Sequence, residues 1–253
     1  MATACVASPA GWYLYAITVA GGDAFSAPGV EGTRVETLVE GALAAVVSPL
    51  AARKIRPQRA NLAAHHRILH DLACVQPVLP VVFGTISSSE SQLRRVLRQN
   101  QAPLLDSLKS LSGKVEMGLK VYWDLPSVFE YFVATHQELE AMRNRLFGPG
   151  RTPSVEEKVE LGETFVDLLA QARQRHTDRV QEALAPYCAE IRVINPGEER
   201  MIMKLACLVD KDRQARWEEA VRQAAALFDD HYRFDYNGPW PPYNFTDVDL
   251  EGT

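Results

Sequence analysis

Apolar residues that recur at every second position, or run unbroken for four to eight positions, predict strands in both halves of this chain. The clearest strand is residues 114–123, where apolar side chains from Val115 to Trp123 alternate with polar or smaller ones. This alternation is typical of a half-buried antiparallel strand. The other predicted strands are residues 12–19, 35–40, 42–47, 78–83, 189–194, 201–209 and 232–236.

Apolar residues spaced three or four apart predict helices between these strands. The predicted helices are residues 60–75, 90–111, 127–147, 154–184 and 212–229. Pro103 lies inside the second of them and is expected to kink or divide it, because proline removes a backbone donor and clashes with the preceding turn. Ser154 precedes the fourth helix, with Glu157 three residues later, which is a capping-box pattern.

The order of these elements predicts an α+β fold with two domains. Residues 1–125 follow the order β-β-β-α-β-α-β, which, without the extra hairpin strand, is the ferredoxin-like order of an antiparallel sheet with helices on one face. Residues 126–253 follow the order α-α-β-β-α-β and are expected to form a helix-rich, modified ferredoxin-like domain. The two halves share no convincing sequence repeat.

The C-terminal stretch 236–250 is unusually stiff and apolar for a chain end. Within its residues 236–245 lie three prolines and four aromatic residues, and prolines restrict both their own backbone and that of the preceding residue. Such a segment is costly to leave in water, so it is expected to dock on its own second domain. Trp240 and Tyr243 are then expected to be largely buried.

Charge and composition exclude several classes of partner. The net charge is −5; residues 1–125 are slightly basic, and residues 126–253 are acidic. Neither half is basic enough for nucleic acid to be the default partner, and no apolar run reaches the roughly 18 residues of a membrane span. The four cysteines are far apart and form no Cys-x-x-Cys pair, which favours reduced thiols over a disulfide framework or zinc site.

Histidines on the first helix are the best candidates for enzyme chemistry. His66 and His70 are four residues apart, so they can share a helix face and bind a metal. However, no third ligand is evident, and the alternative is polar histidines beside a subunit or domain contact. Residues 83–85 (Phe-Gly-Thr) follow a strand and precede a helix, where phosphate can bind, although no nucleotide-binding motif is present and a turn that requires Gly84 is the favoured interpretation. No nucleophile motif and no cofactor-binding motif is present.

A basic cluster precedes and enters the first predicted helix. Its members are Arg53, Lys54, Arg56, Arg59 and Arg67. Such a cluster can pair with an acidic partner or with the acidic second half of the chain, or it can be a solvated face of the helix.

A set of motifs in fixed order is more specific than any one of them. The motifs are residues 12–16 (Trp-Tyr-Leu-Tyr-Ala), 43–48 (Leu-Ala-Ala-Val-Val-Ser), His65, 78–85 (Val-Leu-Pro-Val-Val-Phe-Gly-Thr), 118–123 (Gly-Leu-Lys-Val-Tyr-Trp) and 236–245 (Tyr-Asn-Gly-Pro-Trp-Pro-Pro-Tyr-Asn-Phe). Together they resemble the gas vesicle protein F/L family over essentially the whole chain. Residues 1–9 are expected to be an added, unstructured lead.

The resemblance implies a minor accessory protein of gas vesicles, the gas-filled protein shells that give aquatic and some soil prokaryotes buoyancy. It implies that the chain lies at the vesicle inside the cytoplasm, binds the main shell protein and other accessory proteins, and keeps the shell protein from aggregating during nucleation. The family brings no catalytic residues and no cofactors, so an enzyme is not expected.

Two other functions remain open at this point. One is a metal-dependent hydrolase that uses His66 and His70, and the other is a regulatory module that binds a small ligand. For the accessory role, the candidate partner-binding residues are Arg53, Lys54, Arg56, Arg59, His65, Trp240, Tyr243 and Phe245.

Overall fold

Two antiparallel sheets organise the chain, each in its own unit. The structure, a computed structural model, describes residues 9–21 and 27–246. One unit contains the described residues up to Glu116 and those from Pro239 onward, and the other contains Met117–Gly238. This division differs from the expected boundary at 125/126, and it groups the tail with the first unit. Most of the expected lead, and residues 247–250 of the expected tail, lie outside the described residues.

The first unit is built on a five-stranded sheet. Its elements are β1 (Gly11–Val19), β2 (Glu36–Glu40), β3 (Leu43–Leu50), α1 (Arg59–Val75), β4 (Val78–Pro80), β5 (Ile86–Ser87), α2 (Glu90–Gln99) and α3 (Gln101–Ser110). The strand order is β2-β3-β1-β4, every pair is antiparallel, and β5 adds to β1. Side chains of β1, β3 and α1 form the core of this unit.

The second unit is built on a four-stranded sheet. Its elements are β6 (Lys114–Trp123), α4 (Val128–Thr135), α5 (Gln137–Leu146), α6 (Val155–Leu184), β7 (Glu190–Ile194), β8 (Met201–Asp210), α7 (Gln214–Ala225) and β9 (Tyr232–Trp240). The strand order is β7-β8-β6-β9. The expectation that β6 completes the first sheet is therefore wrong, because it lies between β8 and β9 in the second sheet.

With β6 in place, the second unit follows the ferredoxin-like order β-α-β-β-α-β. The first sheet has the same spatial order, since β2, β3, β1 and β4 match β7, β8, β6 and β9 in turn. The α+β fold with two antiparallel sheets is thus confirmed. The two units differ in the crossover that joins their first and second strands. In the second unit it consists of α4, α5 and α6.

In the described part of the first unit's crossover, from residue 27 onward, the only helical element is a short 3-10 turn, Val30–Gly32. A chain of hydrogen bonds holds it to the sheet: the Val30 amide donates to the Tyr15 hydroxyl (2.8 Å), and the Tyr15 and Ser48 hydroxyls are 3.0 Å apart. Ser48 donates to the Arg34 carbonyl (2.8 Å), so Tyr15 is the donor to Ser48. A side chain at Gly29 would place Cβ 2.3 Å from the Tyr15 hydroxyl, so this chain of bonds requires glycine there.

The helix predicted for residues 127–147 is divided in two. His136 has extended backbone angles (φ −126°, ψ 106°) and separates α4 from α5. Its Nδ1 atom lies 3.0 Å from the Phe132 carbonyl, and its ring stacks on the Phe132 ring. Thr135 Oγ1 also donates to the Tyr131 carbonyl at 2.8 Å. Such local side-chain hydrogen bonds compete with the helical pattern and explain the break.

Other elements keep their predicted type with shifted bounds. The helix with Pro103 divides at Asn100, and Pro103 lies in the first turn of α3, where its missing amide costs little. The strand predicted for residues 78–83 is only three residues long, whereas β9 extends four residues beyond its predicted end, to Trp240. Ser154 caps α6, and the capping box with Glu157 is confirmed.

Replacing Tyr15 with phenylalanine tests the hydrogen-bond chain of the crossover. Tyr15→Phe leaves the buried Val30 amide without its acceptor, which should destabilise the first unit by about 1–3 kcal/mol. Hydrogen exchange of residues 27–35, followed by mass spectrometry, should become faster in the variant than in the native chain. Tyr236→Phe, at an exposed tyrosine, is the control; equal exchange in both variants would contradict this account.

Candidate functional site

A buried cluster of aromatic side chains lies between β1 and α1 in the first unit. The Tyr13 hydroxyl accepts a hydrogen bond from the Gly84 amide (3.3 Å) and lies 2.9 Å from Nδ1 of His65. The His65 ring stacks on Tyr15 and meets Phe83 edge-on. His65 is 1 % exposed, so the expectation that it contacts a partner directly is wrong. Its position on the buried face of α1 makes it part of the core.

Burial fixes the protonation state of His65. Burial, together with the neighbouring His66, lowers the pKa of the imidazole to about 4, so His65 is neutral near pH 7. The Tyr13 proton is available for Nδ1, which places the imidazole proton on Nε2. By distance and angle, this nitrogen has no hydrogen-bond partner among the described residues, although the Val81 backbone carbonyl partly offsets the shift by raising the pKa of His65.

The turn at Phe83-Gly84 is structural. Gly84 has a positive φ of 95°, which a residue with a side chain rarely adopts, and its amide is bound by Tyr13. The next helix, α2, begins only at Glu90 and is capped by Ser89. The turn therefore does not lie at a helix N-terminus where phosphate would bind.

The C-terminal tail docks on the first unit through a short 3-10 turn, Tyr243–Phe245. Asn244 donates to both carboxylate oxygens of Glu116, from its amide (2.8 Å) and from Nδ2 (2.5 Å). The Tyr243 hydroxyl lies 3.3 Å from Nδ1 of His66. Phe245 is buried. The pKa of Tyr243 is raised by the burial of its own hydroxyl and by the negative charge of Glu116. The expectation that the tail docks on the second unit is thus not met.

Trp240 is exposed, although the sequence predicted that it would be buried. Its side chain is 46 % exposed, whereas Pro241 and Pro242, which follow it, are buried. Trp240 is therefore an aromatic side chain at the surface, and its backbone is held by β9 before it and by the buried prolines after it. Of the three aromatic candidates in the tail, Phe245 is buried, Tyr243 is half-buried and Trp240 is exposed.

The basic cluster divides into surface and structural members. Arg53, Lys54, Arg56 and Arg59 are exposed in the loop before α1 and at its first residue, and none forms an ion pair within the described residues. Arg67 instead donates to the Pro28 carbonyl at 2.7 Å and anchors the crossover. The first four residues therefore lie at the surface of the described structure.

The two histidines considered for a metal have other neighbours. His66 lies against Tyr243 of the tail, and His70 lies 3.4 Å from Asp71 at the surface. No group of three His, Cys, Asp or Glu side chains with metal-binding geometry occurs in residues 9–21 and 27–246. The same residues contain no helix long and apolar enough to cross a membrane.

Glu116 and Asn244 form a pair that anchors the tail and that sequence reasoning missed. Glu116 lies on the polar side of β6, where a solvated carboxylate is the default expectation, yet it is buried. A buried carboxylate requires hydrogen-bond donors, and Asn244 supplies two of them from 128 positions away. No local pattern signals a pair so distant in sequence.

Comparisons with known proteins agree with this architecture. The family model described as "Gas vesicle synthesis protein GvpL/GvpF" matches residues 11–247. A Streptomyces protein named gas vesicle protein F is 32% identical over 217 residues, covering 84% of this chain and 88% of the relative. The gas vesicle protein F of Dolichospermum flosaquae is 28% identical, covering 78% and 80%.

A solved structure shows the same fold. The crystal structure of the gas vesicle protein GvpF from an Anabaena species superposes with a TM-score of 0.82, covering 95% of this chain and 99% of that protein. Only 23% of the residues are identical, so this likeness concerns the fold alone.

The neutral, buried His65 predicts how stability depends on pH. The unfolded chain takes up the proton near pH 6.5 and the folded chain only near pH 4. Between these values the unfolded state binds more protons, so stability falls as the pH falls, by roughly 3 kcal/mol in total from this group. His65→Phe should remove this part of the pH dependence between pH 6.5 and pH 4.

The measurement is the free energy of urea unfolding of the native chain and the variant across that pH range. His70→Asn changes an exposed histidine on the same helix and should leave the dependence unchanged. Parallel pH profiles for the native chain and His65→Phe would show that His65 is not held neutral in the folded state.

Proposed function

Because the chain belongs to the GvpL/GvpF family of gas vesicle synthesis proteins, we propose that it is an accessory protein of gas vesicle assembly, located at the vesicle. It binds the main shell protein and other accessory proteins, and it keeps the shell protein from aggregating during nucleation. The observation that carries this proposal is the family match over residues 11–247.

Transient protection of an apolar shell subunit requires a surface that binds apolar side chains without being covered by the protein's own core. The exposed Trp240 supplies such a group, since tryptophan is among the residues that contribute most to binding at interfaces. The tail is held by Asn244 on Glu116 and by the buried Phe245. A partner therefore meets a side chain whose backbone is already ordered, which lowers the entropy cost of binding.

The exposed basic residues Arg53, Lys54, Arg56 and Arg59 suit a different partner. Four cations in one short stretch, with no ion pair to residues 9–21 or 27–246, attract an acidic surface and increase the rate of encounter. We assign this stretch to contacts with other accessory proteins. Such contacts should weaken as the salt concentration rises, because exposed charges are screened.

Two aromatic residues of the tail separate binding from stability. Trp240→Ala should lower the melting temperature less than truncation of a buried aromatic residue, because the Trp240 side chain is 46 % exposed, yet lower co-purification with the main shell protein by about tenfold. Phe245→Ala removes a buried side chain and should lower the melting temperature, since such truncations cost about 3–5 kcal/mol. Both variants are measured by thermal melting, by pull-down with the shell protein, and by vesicle formation in cells that lack the native chain.

Two results would contradict the proposal, in whole or in part. If the native chain does not co-purify with the shell protein, and cells without it form normal vesicles, the proposed role is wrong. If Trp240→Ala binds and supports vesicles as the native chain does, the assignment of the tail as a contact is wrong, although the role itself is not.

A further inference from the structure

Helix α6 carries an exposed apolar stripe along its N-terminal half. The stripe consists of Val155, Val159, Gly162 and Val166, at the spacing of four, three and four residues that places side chains on one helix face. The three valines are 71 %, 52 % and 58 % exposed, in chain order. Spacing of this kind is the pattern by which one helix packs against another.

The stripe is distinct from the face that α6 buries in its own unit. Leu161 and Ala172 are buried and lie on a different side of the helix. Leu169, three residues after Val166, continues the spacing of the stripe but is buried, so the exposed stripe ends at Val166. The apolar stripe is therefore additional to the core and is left in water by the described chain.

A row of carboxylates runs beside the stripe. Each stripe residue is followed directly by an acidic one, so Glu156, Glu160, Glu163 and Asp167 repeat the same spacing one position later. All four are exposed, and none forms an ion pair within the part of the chain that the structure describes. Lys158 is the one exposed cation on the opposite border of the stripe. Among residues 9–21 and 27–246, no cation compensates this row of negative charge by an ion pair.

Gly162 gives the stripe a point of close approach. A glycine inside a helix destabilises it by roughly 1 kcal/mol relative to alanine, and nothing in the described structure demands it, because a Cβ built at Gly162 meets no atom within 4 Å. A small residue in the centre of a helix face allows the backbone of a second helix to approach closely.

We propose that this face of α6 binds an amphipathic α-helix of a partner protein, one with an aliphatic seam beside a row of Lys or Arg residues. The seam covers Val155, Val159 and Val166, and the basic row pairs with the four carboxylates. A second copy of this chain suits the face poorly, because two copies would bring eight carboxylates together with only two lysines. The inference rests on α6 alone and does not depend on the proposed function.

Two synthetic helical peptides of about 20 residues test the proposal, a length at which isolated helices begin to be stable. Both carry the same leucine and alanine seam, one beside a row of lysines and the other beside a row of glutamates. Fluorescence anisotropy with the full native chain should show at least about tenfold tighter binding of the lysine peptide. Added salt should reduce that preference, because it screens the charges.

Charge reversal on α6 should reverse the preference. The triple variant Glu160→Lys, Glu163→Lys and Asp167→Lys is expected to bind the glutamate peptide better than the lysine peptide. A control with the same change in net charge is Glu140→Lys, Glu182→Lys and Glu198→Lys, at exposed positions outside the acidic row. This control should keep the preference of the native chain, which separates the row from net charge.

Gly162→Ala separates packing from stability. In the free chain the substitution should raise the melting temperature by about 2 °C, because alanine favours a helix more than glycine. It should nevertheless weaken binding of the lysine peptide, by about fivefold or more, because the added methyl group prevents the close approach. Val159→Asn should weaken binding as well, without a change in secondary structure.

Three results would overturn the proposal. The first is equal binding of the two peptides by the native chain, and the second is an unchanged preference in the α6 triple variant. The third is a native dimer, seen by analytical ultracentrifugation, that dissociates on Val159→Asn, since the face would then join two copies of this chain. Tighter binding of the lysine peptide by Gly162→Ala would contradict the close approach at that residue.

Discussion

The chain of hydrogen bonds from the Val30 amide through the Tyr15 and Ser48 hydroxyls to the Arg34 carbonyl is the interaction on which the first unit depends. In its described part, the crossover into β2 has only a short 3-10 turn to satisfy its backbone groups. Its polar atoms must therefore find partners on the sheet. Each of the two hydroxyls takes part in two of the three hydrogen bonds, so removing either one breaks two of them. Tyr13 and His65 pack beside this chain of bonds and fill the space between β1 and α1.

Local patterns predicted those elements whose cause is local. The bounds of β6 follow from strict alternation, and the start of α6 follows from the Ser154 capping box. The break at His136 was not predicted, because it depends on a side chain that bonds to the backbone of its own helix. The sheet that β6 joins could not be predicted either. Strand order depends on contacts between distant parts of the chain, which periodicity does not contain.

The candidate contact residues illustrate the same limit at the level of single side chains. Arg53 and Lys54 are exposed as predicted, because charged side chains are rarely buried without a partner. His65 and Phe245 are of types found both inside and outside proteins, and the structure buries both. The Glu116–Asn244 pair shows the converse, a charged side chain buried because the tail supplies its donors.

The two sheets share one strand order, so what distinguishes the units is the crossover between their first two strands. The first unit's crossover is anchored by hydrogen bonds to buried hydroxyl groups and to Asn61. The crossover of the second unit ends in α6, which is 30 residues long. A small sheet cannot cover the full length of such a helix. A helix of that length presents further faces to water. The exposed stripe and its carboxylate row lie on a part of α6 that its own unit leaves in water, where a binding face can form without disturbing the core.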